Sequence, residues 1–73
     1  MPVAIEAASL ATNIKARRAK IETNQQTFAA NVNVRYSTFI EIEAGRFLNP
    51  PQSILERIAE GLDCEVEDLL PLT

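Results

Sequence analysis

The sequence predicts an all-α fold on three observations. Apolar residues recur at spacings of three and four, which is the period of a helix and not of a strand. Helix starts and stops punctuate the chain at short intervals, at Asn24, Asn33, Gly45, Pro50, Pro51 and Pro71. Hydrophobic residues make up 47% of the 73 and charged residues 23%, the composition of a folded globule. A chain of this length is expected to form one small domain, residues 1–73, with a modest core and little stability in reserve.

Five helices are expected, in order. The first runs from about Glu6 to Ile21, where Leu10, Ile14, Arg18 and Ile21 share one face by a four-four-three spacing. An arginine inside that apolar stripe calls for a partner. Asn24 suits an N-cap, because its side-chain oxygen can accept from the free N–H groups of the next turn. The second helix follows from Gln25 to about Val32 and buries Phe28, Ala29 and Val32. Asn33 ends it, since Asn tolerates the left-handed conformation of a helix stop. The third helix covers about Tyr36 to Ala44, with Phe39, Ile42 and Glu43 inward, and Gly45 stops it. The prolines of "RFLNPP" require a loop. The fourth helix spans about Pro51 to Leu62, with Pro51 in its first turn and Leu55, Ile58, Ala59 and Leu62 on its apolar face. After a turn at Asp63 and Cys64, a short fifth helix runs from Glu65 to Leu70, with acids in its first turn and Pro71 at its end.

Several function classes are excluded or disfavoured. The chain has no histidine and one cysteine, Cys64, which rules out the common zinc sites and any Ser-His or Cys-His nucleophile pair. No enzyme activity, metal or cofactor is expected. No apolar run approaches the roughly 20 residues of a membrane span. The start "MPVAIEAASL" lacks the basic segment of a secretory signal. A lone cysteine fits a reducing compartment, so a cytoplasmic, nucleoid-associated location is expected.

The net charge of −3 is unevenly spread. Lys15, Arg17, Arg18 and Lys20 oppose only Glu6 and Glu22 in the first third. Six of the ten acids (Glu56, Glu60, Asp63, Glu65, Glu67 and Asp68) crowd the last third against Arg57 alone. Such a division orients a small domain towards a polyanion.

The second and third helices are separated by only about three residues, "NVR". That is the geometry of a helix-turn-helix, here about 24–45, whose second helix enters the major groove. The stretch "NQQTFAANVNVRYSTFIEIEAGRFLNP" is similar to the lambda-repressor-like helix-turn-helix family (the Cro/cI, Xre-type group). The match rests on Gln25, Ala29, and the ending Ile42-Glu43-x-Gly45-basic, with Asn33 in place of the usual turn glycine. "LERIAEGLDCEVEDLL" resembles the family's last two helices, so the likeness covers about residues 8–70. It implies a compact five-helix domain that binds DNA and regulates transcription. It also implies that Arg18 and Glu43 face each other as a buried ion pair, in agreement with the need of a buried arginine for a carboxylate.

The expected DNA-facing residues follow. Gln25 would bond a phosphate at a helix start. Arg35, Tyr36, Ser37 and Thr38 open the third helix, at the end that meets base edges. Arg46 would clamp a phosphate, and Lys15 and Arg17 would do likewise from the first helix, although those two suit a solvated face equally well. Glu41 admits several readings: an acceptor for cytosine N4, a solvated charge or partner of a nearby base, or a repulsive element against wrong sequences. Ile40 is outward and apolar. Phe47, Leu48, Leu70 and Leu72 exceed what a small core hides and suggest a homodimer through the last two helices and the tail. The expected partner is a near-palindromic double-stranded DNA operator, bound as a dimer by a repressor. The alternative is a protein-interaction module, such as an antitoxin or anti-repressor, whose acidic last third meets a basic protein partner.

Overall fold

The computed structural model describes residues 3–70 apart from Leu48, with side chains described from Leu10 onward. Five α-helices follow one another: α1 Val3–Lys20, α2 Gln25–Asn31, α3 Tyr36–Glu43, α4 Gln52–Gly61 and α5 Val66–Leu69. No strand occurs among the described residues. The expected fold class is borne out.

One apolar cluster draws on every helix. Leu10 and Ile14 of α1 meet Phe28 and Ala29 of α2, Phe39 and Ile42 of α3, Leu55 and Ile58 of α4, and Leu69 of α5. Ile14, Phe39, Ile58 and Leu69 are fully buried. The Phe28 and Phe39 rings, 5.3 Å apart and tilted by 44°, pack α2 against α3. Asn13 Nδ2 donates to the Leu69 carbonyl at 2.9 Å and ties α1 to α5.

The helix ends explain how so short a chain turns so often. Asn33, Gly45, Asp63 and Glu22 each take a positive φ, at 60°, 78°, 58° and 55°. After α2, α3 and α4 the same hydrogen-bond pair closes the turn. The left-handed residue donates to the carbonyl three positions back, and the next residue donates five positions back. Val34 is thereby carried into the core: its N–H donates to the Ala29 carbonyl at 2.9 Å, and its side chain is buried.

Three local expectations are corrected. Ile21 is 49% exposed rather than inward. It lies beyond Lys20, the last helical residue, and beside left-handed Glu22, so the helical phase no longer applies to it. Pro51 has ψ 149° and caps α4 from outside instead of joining its first turn. Phe47 packs against the core rather than standing free. Leu48, Pro71 and Leu72 lie outside the described residues.

Candidate nucleic-acid interface

The unit α2–turn–α3 is set by capping. Asn24 Oδ1 accepts from the Thr27 N–H at 2.7 Å and starts α2. Residues 32–35 form the turn, and Arg57 of α4 donates from Nη1 to the Asn33 carbonyl at 3.3 Å. Asn33 and Val34 redirect the chain, and Arg35 in extended backbone begins α3.

Two faces of α3 then differ completely. Inward lie Phe39, Ile42 and Glu43, all buried. Outward lie Tyr36, Ser37 and Glu41, with Arg35 exposed before them. Thr38 and Ile40 are half-buried.

Glu43 is only 3% exposed and carries a full set of donors. Arg18 Nε donates to Oε2 at 2.6 Å, and Arg18 Nη2 donates to Oε1 at 3.1 Å. Gln25 Nε2 adds a third bond to Oε1 at 2.9 Å. Arg18 Nη1 reaches the Thr23 carbonyl at 2.7 Å, which secures the α1–α2 turn. A buried charge is tolerated only when paired and hydrogen-bonded in this way. Gln25 is thus partly committed inside the protein. One Nε2 hydrogen is used, and the group sits where α1, α2 and α3 converge.

Glu41 has a different partner. Arg46 Nε donates to Oε1 at 3.0 Å and Nη2 to Oε2 at 3.2 Å, in an exposed side-on pair. The hydrogen bond and charge of Arg46 hold the Glu41 carboxyl below its usual range and push the arginine upward in turn.

The two basic residues assigned together on α1 separate. Lys15 lines a shallow groove with Ala11, Ala19, Glu43 and Ala44, beside the end of α3. Arg17 shares the side of Asn13 and acts electrostatically on Cys64, near Asp63, Glu65 and Asp68. Burial raises the Cys64 thiol above its ordinary value, with the three acids adding to it and Arg17 opposing. Among the described residues no group of three or more Cys, Asp or Glu stands close enough to hold a metal ion, and no helix is long and apolar enough to cross a membrane.

Sequence reasoning did not anticipate Arg57, which places a charge beside the α2–α3 turn, or the bond from Gln25 to Glu43. The first had a signal in the lone base of an acidic third. The second had none, because it depends on how α2 and α3 cross.

Two short helices joined by a tight turn, the second with a buried inner face and a polar outer face, define a helix-turn-helix domain. The chain is 34% identical over 58 residues to an uncharacterized HTH-type transcriptional regulator of Archaeoglobus fulgidus, covering 80% of each protein. It belongs to that family of HTH-type transcriptional regulators. No family profile matches the chain, and no solved structure does.

Proposed function

We propose that this chain is a sequence-specific DNA-binding regulator of the lambda-repressor-like type, a repressor that binds a palindromic operator as a homodimer, and not an enzyme. The observation that carries the reading is the outer face of α3, where exposed Arg35, Tyr36 and Ser37 open a helix anchored only from its inner side. Placed in the major groove, those residues and Thr38 meet base edges and the adjoining backbone. In this reading Gln25, Lys15 and Arg46 grip phosphates. Arg17 belongs to the same proposed set, although its charge also acts on Cys64 in the acidic α4–α5 turn. The proposed dimer would use Leu70, which is 39% exposed at the end of α5.

The test is selection from a random duplex pool with the purified protein. A two-fold symmetric motif is the expected result. A single half-site would remove the dimer, and no enrichment at low salt would remove DNA binding. With about six phosphates held, affinity should drop about a thousandfold from low to physiological salt. A second reading has its own observation. Glu56, Glu60, Asp63 and Glu65 surround a hollow floored by Ala59, Cys64 and Val66. That surface suits a basic protein partner, and a failed DNA selection would direct attention there.

A further inference from the structure

The turn after α3 brings two particular side chains together. Gly45 donates to the Ile42 carbonyl at 3.1 Å and Arg46 to the Glu41 carbonyl at 3.0 Å. This closure places the residue after the left-handed position over the third-last residue of the helix. The usual occupants are apolar, and after α2 they are Ala29 and Val34, both buried. After α3 the same two places hold Glu41 and Arg46, with side chains 48% and 62% exposed. An exposed ion pair contributes little to stability, so its effect is to be sought in orientation.

A guanidinium carries five N–H donors in a rigid plane. Glu41 occupies one on Nε and one on Nη2. The other three, both on Nη1 and one on Nη2, have no acceptor among the described residues. One Nη1 hydrogen and the free Nη2 hydrogen form the end-on edge of the plane, and their spacing matches two oxygens of a phosphate. We propose that Glu41 is a positioning residue that holds Arg46 with that edge presented to a DNA phosphate, and that it reads no base. The proposal rests on the DNA-binding reading above.

Charge alone predicts the opposite sign. Removing an acid near DNA weakens repulsion and tightens binding. Removing a positioning residue leaves Arg46 to be ordered on binding, which weakens it. The experiment measures duplex affinity, on the selected site, for wild type, Glu41→Ala, Glu41→Gln, Arg46→Ala and the Glu41→Ala/Arg46→Ala double variant. Glu41→Ala should lose about three- to tenfold, the cost of immobilising one long side chain. Glu41→Gln, which keeps one acceptor for Arg46, should recover part of that loss. In the Arg46→Ala background the Glu41→Ala change should cost nothing or tighten binding. Melting curves should shift only slightly throughout, since an exposed pair contributes little to stability. Equal or tighter binding by Glu41→Ala alone overturns the proposal, as does a loss that persists without Arg46, which would make Glu41 a reader in its own right. A wild type that binds no duplex defeats the DNA-binding reading itself, which is a separate and recognisable outcome.

Discussion

Arg18 and Glu43, 25 residues apart in the chain, are joined by two hydrogen bonds of 2.6 and 3.1 Å where α1 and α3 meet. Gln25 at the start of α2 bonds the same carboxylate. One acid therefore fixes three helices, including the outward-facing α3. Glu43→Ala should cost about 3–5 kcal/mol, because Arg18 keeps its charge without its partner. That is a large share of the stability of a small domain. Replacing both partners with apolar residues of similar volume should recover most of the loss. Urea denaturation of the wild type and the two variants checks this, and a shift below about 1 kcal/mol for Glu43→Ala would show the network to be dispensable.

Gly61 in the last turn of α4 faces α2 closely. A methyl group there would collide with the Val32 side chain and come within 3.2 Å of the Phe28 ring. Alanine ordinarily stabilises a helix relative to glycine by roughly 1 kcal/mol. Here Gly61→Ala should destabilise, by about 1–3 kcal/mol, since Val32 is buried and stiff at χ1. A higher melting temperature for the variant would contradict the close approach.

Glu22 and Asp63 hold left-handed backbone without being glycine. The strain of such a position is of order 1 kcal/mol, partly offset by the greater unfolded-state freedom of glycine. Glu22→Gly and Asp63→Gly should each stabilise by about 0.5 kcal/mol, and the effects should add, as expected for separate sites. Thermal melts of both single variants and the double variant decide the matter.

The Glu41 carboxyl should titrate below the ordinary glutamate value, because Arg46 bonds its ionised form. The small stabilisation from this pair is complete above the unfolded-state value and is lost as pH falls through the lower folded value. Carbon-13 NMR of the side-chain carboxyl gives the titration directly. In Arg46→Ala the midpoint should move up, and an unmoved midpoint would mean that the pair does not persist in solution.

Much of the architecture was legible because helical periodicity assigns faces. Phe39, Ile42 and Glu43 share the inner side of α3 by spacing alone, and Arg18 within an apolar stripe announces a buried acid. Asn33 and Gly45 signal their turns by residue type. Asp63 likewise sits in an expected turn, and aspartate tolerates left-handed backbone, whereas Glu22 carries no such signal by residue type. Ile21 was misplaced by extending a helical phase one residue past Lys20. The bond from Asn13 to the Leu69 carbonyl spans 56 positions and has no local trace. The opposition of Glu41 and Arg46 could have been derived, because a glycine stop places residues five apart face to face.

The division of α3 into a pinned side and a free side bears on how such a chain can change over generations. Phe39, Ile42 and Glu43 are locked by the interior, whereas Tyr36 and Ser37 lie in solvent. Exchanges at solvent positions usually alter stability by no more than about 0.5 kcal/mol. One surface of the same helix can therefore drift while the opposite surface keeps the chain folded. Divergence of target and retention of shape are separable in this scaffold, residue by residue.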